Sequence, residues 1–112
     1  MNELGRMLDW QKELMSELNI GSDKTKINDE ILDCILGLTE EVGELAKVAN
    51  SKRKIWRDDV DFNTDEFKEE LVDVMAYLIE LFLLLGCHED SIMELFKNKM
   101  IINLSRVITS HK

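Results

Sequence analysis

Apolar residues recur every three or four positions through four stretches of the chain, and polar clusters separate the stretches. In the first, Leu4, Met7, Leu8, Met15 and Leu18 share one side of a helix of 3.6 residues per turn. They predict a helix from about Asn2 to Leu18 that stops at Asn19-Ile20-Gly21. Ser22 to Lys26 is expected to be a loop. Asn28 suits the N-cap of a second helix, and Asp29 and Glu30 suit the positive end of its dipole. Ile31, Ile35, Leu38, Val42, Leu45 and Ala49 then draw one continuous apolar stripe. The pattern decays through Asn50-Ser51 into a basic segment around Trp56, followed by an acidic stretch from Asp58 to Asp65. Thr64 is the expected cap of a third helix running to Leu85, where Gly86 ends it. Between Val74 and Leu85 that helix is apolar nearly all the way round, which predicts burial on most sides. A fourth helix is expected from about Glu89 to Ile108. The pattern predicts a single all-α domain over residues 1–112, a four-to-five-helix bundle. One short chain hardly covers its own third helix, so self-association is expected.

Composition narrows the partners. The chain of 112 residues has no proline, in keeping with a mostly helical fold. Its 23 acidic and 14 basic side chains leave a net charge of −9. That balance argues against nucleic acid, whose binding draws on Lys and Arg releasing counterions from phosphate. A small anionic ligand would need metal ions to bridge it. Cys34 and Cys87 form no ligand-spaced pair, and no basic stretch followed by an apolar run opens the chain. The expectation is a cytoplasmic protein with reduced thiols. The most apolar run, Val74 to Cys87, is 14 residues long with Glu80 inside it. A membrane span needs about 20, so no membrane partner is expected.

The candidate chemistry lies in paired carboxylates. Glu41 and Glu44 are three apart on the second helix, along one flank of its apolar stripe, and Gly37 and Val48 share that flank. Glu70 and Asp73 repeat the spacing on the third helix, with Tyr77 one turn further on the same side. A carboxylate beside a core is costly to desolvate without a counter-charge. Two facing pairs supply four hard oxygen ligands, a set that suits Mg²⁺ with retained waters, or Mn²⁺. The competing reading is that these acids are solvated helix faces. The neighbours Glu40 and Glu69 point to other sides of their helices and are expected to face solvent or to stand behind the direct ligands.

The segments Leu38-Thr39-Glu40-Glu41-Val42-Gly43-Glu44-Leu45-Ala46 and Glu70-Leu71-Val72-Asp73-Val74-Met75-Ala76-Tyr77-Leu78 resemble the ExxE and ExxD motifs of the MazG-type all-α nucleoside triphosphate pyrophosphohydrolases. The similarity runs from the second helix to the fourth. It implies a helical bundle assembling as a homodimer or homotetramer. It also implies Mg²⁺-dependent cleavage of a (deoxy)nucleoside triphosphate to the monophosphate and pyrophosphate, a nucleotide-pool house-cleaning reaction. Glu41, Glu44, Glu70 and Asp73 would hold metal. Glu41 or Glu44 would act as general base, with Glu41 favoured, because such hydrolysis needs neutralised phosphate oxygens and an activated water.

Further residues are candidates for nucleotide contact. Lys99, Asn103 and Arg106 fall at i, i+4 and i+7 of the fourth helix, beside an apolar stripe. Their pattern is similar to family residues that contact phosphates or brace the acidic cluster, and the alternative is surface ion pairs of little energetic consequence. Lys47, Lys52, Arg53, Lys54 and Arg57 surround Trp56, and the similarity implies that Lys54 and Trp56 help hold a nucleotide; packing is the alternative for Trp56. Trp10 and Gln11, the latter a polar residue within an apolar stripe, are candidates for base contact, with capping or interface packing the favoured role. The Asp59 to Glu70 segment lacks the Gly of an EF-hand loop, and neither histidine stands three after a glutamate, which excludes a ferritin-like di-metal bundle. Cys87-His88 reads as a turn. An all-α dUTPase, a phosphoribosyl-ATP pyrophosphohydrolase and a non-catalytic interaction module stay open beside the first reading.

Overall fold

The computed structural model describes residues 2–52 and 62–110. Lys54 and Trp56, expected to help hold a nucleotide, lie outside them. The described residues are all-helical: α1 (Glu3–Glu17), a 3-10 turn (Lys24–Lys26), α2 (Ile27–Lys52), α3 (Asp65–Leu84) and α4 (Glu89–Ser110).

Local chemistry sets most of the ends. The Asn2 side chain accepts from the Gly5 amide at 2.8 Å and caps α1. Thr64 does the same for α3 through the Phe67 amide at 3.2 Å. Both helices close with the same pair of backbone bonds. In α1 Asn19 donates to the Ser16 carbonyl and Ile20 to that of Met15; in α3 Gly86 donates to Leu83 and Cys87 to Phe82. The pattern requires a left-handed residue just past the helix, and Asn19 (φ 58°) and Gly86 (φ 79°) supply it. The turn falls on Leu85 and Gly86, one step before the expected Cys87-His88, which leads into α4, where the His88 amide donates to Ser91 Oγ at 2.9 Å.

One cap differs from expectation. Asn28 lies inside the first turn of α2, not at its cap. The reason is Asp23, whose carboxylate accepts from the Thr25 amide and hydroxyl at 2.9 and 2.7 Å. It thereby starts a 3-10 turn within the expected loop, and that turn runs straight into α2.

The principal packing is α2 against α3, with α1 laid across α3. Cys34 lies beside Tyr77, and Glu41 beside Glu70, so α2 and α3 run antiparallel. Met15, Cys34 and Leu84 form the centre of a small core, closed by Ile20, Ile27, Ile31, Leu81 and Leu83. The face of α2 turned inward carries Cys34, Gly37, Glu41 and Val48. The apolar stripe expected to face the core is only partly covered, with Ile35 and Val42 exposed. The face that carries the carboxylates lies at the contact itself.

Burial of α3 on most sides is likewise not met within one chain. Leu71, Val72, Met75 and Leu78 are exposed. The axis bends by 110° between α3 and α4, and α4 packs lightly against α1 instead of covering α3. The radius of gyration is 17.5 Å, where a compact domain of this length has about 13 Å. No single helix among the described residues is long and apolar enough to cross a membrane.

Candidate metal centre

Glu41 reaches the α2–α3 contact from one side, and Glu70 and Asp73 reach it from the other. One carboxylate oxygen from each lies within 4.8 Å of the others, a set that could hold a metal ion. Hard oxygen donors from two helices at this separation suit a small divalent cation. Glu41 and Glu70 are half-buried and Asp73 is exposed, so the group has an inner wall and an open side.

Glu70 shows the strain of this arrangement. Its Oε2 is buried and accepts no hydrogen bond. Burial, followed by the charges of Glu41, Asp73 and Glu44, holds its carboxyl above the usual carboxylate range. A cation seated among the three oxygens would supply the missing counter-charge.

Glu44 stands apart from this group. Its side chain is exposed and lies 3.5 Å from Lys47 Nζ, while its charge still reaches Glu70. Glu40 and Glu69 face solvent as expected. Tyr77 sits one turn along α3 from Asp73 with its ring against the α2 backbone at Gly37. A Cβ added there would lie 2.5 Å from Cε1 and 2.9 Å from Oη. Burial, then the charges of Glu41 and Glu80, push the Tyr77 phenol upward and keep it protonated.

The acidic group opens into a cavity of about 450 Å³ between α1, α2 and α3, lined by Gln11, Cys34, Glu41, Asp73, Tyr77 and Glu80 among others. Among the described residues, no Lys, Arg or His lines it. Gln11, the polar residue within the α1 stripe, faces this space, whereas Trp10 is exposed. Lys99, Asn103 and Arg106 stand on α4 and line no part of it. Cys34 and Glu80 were not singled out for chemistry in the sequence. Glu80 was visible there only as the one charge in an apolar run.

Comparison with family models, with curated proteins and with solved structures finds no match.

The Glu70 environment has a measurable consequence. Without divalent ions, Glu70→Gln is expected to melt at or above the wild-type temperature at neutral pH, since it removes a charge that burial and acidic neighbours oppose. A raised folded-state pKa stabilises the wild type below the ordinary value of 4.5. That contribution is lost as pH rises through the raised value, because the native state gives up its proton at a cost the unfolded chain does not bear. The variant should lack this pH dependence and should gain nothing from added Mg²⁺. Thermal melts in EDTA across pH 4 to 8 check both points. A variant melting well below wild type at pH 7 would show that Glu70 is already compensated.

Proposed function

We propose that the protein is a Mg²⁺-dependent nucleoside triphosphate pyrophosphohydrolase that releases pyrophosphate and leaves the nucleoside monophosphate. The observation that carries this reading is the convergence of Glu41, Glu70 and Asp73 on one point at the mouth of a cavity, with a buried and unpartnered Glu70 oxygen among them. The resemblance of the two motifs to the MazG-type enzymes supports the same conclusion. A triphosphate cannot approach five cavity-lining carboxylates (Glu30, Asp33, Glu41, Asp73 and Glu80) unaided. Divalent ions held by Glu41, Glu70 and Asp73 would supply the bridge, with charge to neutralise phosphate oxygens and to make a water nucleophilic.

The remaining work falls to the chain. Glu41, Glu70 and Asp73 would hold the ions. Tyr77 walls the cavity and excludes water beside them. Glu44, left out of the three-residue group and exposed at its edge, is the carboxylate available to accept the water's proton. Glu41, preferred from the sequence, is the other candidate for this role.

Assembly as a homodimer or homotetramer is part of the proposal. It is supported by the apolar face of α3 that one chain leaves exposed, where Leu71, Val72, Met75 and Leu78 lie. In such an assembly the Lys99, Asn103 and Arg106 row of α4 is available to another copy's cavity. Nucleotide-pool cleaning in the cytoplasm is the role that fits this chemistry.

The test is pyrophosphate release from a panel of canonical and modified nucleoside triphosphates, with Mg²⁺ and with EDTA, on protein whose mass in solution is measured by light scattering. Release that needs Mg²⁺ and stops with EDTA is the expected result, from a species of two or four chains. Release from dUTP alone would make the protein a dUTPase, and release from phosphoribosyl-ATP alone the corresponding pyrophosphohydrolase. No release from any of these would leave a helical interaction module.

A further inference from the structure

The cavity continues past Tyr77 to a second polar end that the metal chemistry does not use. Asp73, Tyr77 and Glu80 line it at i, i+4 and i+7, along one face of α3. Seven residues at 1.5 Å each place Glu80 about 10 Å along the axis from Asp73. A nucleoside whose phosphates sit at Asp73 extends its base over a separation of this order.

Glu80 is 8% exposed, the one charged side chain buried among the described residues. Cys34 packs beside it, its thiol within reach of the Glu80 carboxylate and 3.4 Å from the Tyr77 carbonyl. Burial, then Glu80, push that thiol up to about 12, so Cys34 stays a neutral, weak donor. An ionised carboxylate has about four acceptor positions, and one thiol satisfies at most one of them. Glu80 therefore offers acceptor capacity at the cavity wall, and no cationic side chain among the described residues lines the space. Gln11 enters from α1 with an amide that both donates and accepts, and Leu14 and Leu18 supply apolar wall on the same side.

We propose that this end holds the nucleobase, and that Glu80 with Gln11 selects cytosine and adenine, which carry an exocyclic amine on the edge opposite the sugar, over uracil, thymine and guanine, which carry a carbonyl oxygen there. The inference rests on the reading of the Glu41, Glu70 and Asp73 end as the phosphate end. The amine of cytosine or adenine donates into the Glu80 carboxylate, while O4 of uracil and thymine and O6 of guanine present a carbonyl oxygen on that edge. Acceptor then meets acceptor at a buried carboxylate, and a site built to bind a donor strongly rejects an analogue that lacks it.

Two measurements on the full chain test the proposal. The first is kcat/KM for pyrophosphate release from dCTP, dATP, dGTP, dTTP and dUTP with Mg²⁺. The rates for dCTP and dATP should exceed those for dGTP, dTTP and dUTP by about tenfold or more, and Glu80→Gln should compress that ratio by about tenfold, since its amide can also donate to a carbonyl. Gln11→Ala, at a half-buried position, should narrow the ratio as well and serves if Glu80→Gln loses its helical circular dichroism. The second is calorimetric titration of cytidine and uridine, which needs neither metal nor turnover and should show cytidine binding more tightly.

Turnover without base preference overturns this inference and leaves the enzyme reading intact. Absence of turnover with cytidine bound in preference to uridine supports the base site and overturns the enzyme reading. Neither turnover nor nucleoside binding overturns both. A preference that neither variant changes removes Glu80 and Gln11 from the selection.

Discussion

Asp73→Asn is expected to lower Mg²⁺-dependent pyrophosphate release by about 10³-fold while leaving helical circular dichroism unchanged. The substitution keeps the shape of the side chain and removes its charge. Asp73 is the exposed member of the three-carboxylate group, so no core contact is lost and the fold should tolerate it. The catalytic cost comes from a weakened metal position. A 10³-fold loss corresponds to about 4 kcal/mol of transition-state stabilisation, the scale on which one preorganised electrostatic group acts. The variant should also need more Mg²⁺ to reach half its activity. Pyrophosphate release measured against Mg²⁺ concentration checks both effects. Activity equal to wild type at all concentrations would remove Asp73 from the site and, with it, the α3 half of the motif pair.

Gly37→Ala is expected to destabilise the fold through Tyr77. Alanine favours a helix interior over glycine by about 1 kcal/mol, so on propensity alone the change would stabilise α2. The added methyl, however, would lie 2.5 to 2.9 Å from the Tyr77 ring and hydroxyl. The ring must move toward the cavity or the helices must part, and overpacking of this kind costs about 1–3 kcal/mol. The net loss should be about 1 kcal/mol, a fall in Tm of about 5 °C for a domain of this size. A double-mutant cycle isolates the cause. In a Tyr77→Ala background the same Gly37→Ala change should be neutral or stabilising, because the ring it collides with is gone. Equal destabilisation in both backgrounds would mean that the cost of the methyl arises elsewhere.

Several features of the site were legible in the residues. The i, i+3 spacing placed Glu70 and Asp73 on one side of α3 with Tyr77 beside them, and the three do share that side. The flank of α2 carrying Gly37, Glu41 and Val48 was also legible as a unit. Its importance was underread, because a run of large apolar residues drew attention to the neighbouring stripe. Gly37 is inward because only a residue without a side chain lets the Tyr77 ring lie against the helix backbone. Glu44 followed the pattern in sequence but not in space. From the edge of the contact it meets Lys47 rather than the other three acids.

The sequence by itself determined the helices and most of their ends. Caps such as Asn2 and Thr64, and left-handed stops such as Asn19 and Gly86, act over three to five residues, and the information for them is adjacent in the chain. It also determined which residue types face one another along each helix, since a 3.6-residue period is a local property. Only the tertiary structure decided which flank of α2 meets α3, that Glu80 and Cys34 line the same cavity as Glu41, and that α4 turns away and leaves α3 uncovered. Those outcomes depend on how helices cross and bend. Crossing is set by side-chain interdigitation between segments distant in sequence, and no local pattern encodes it.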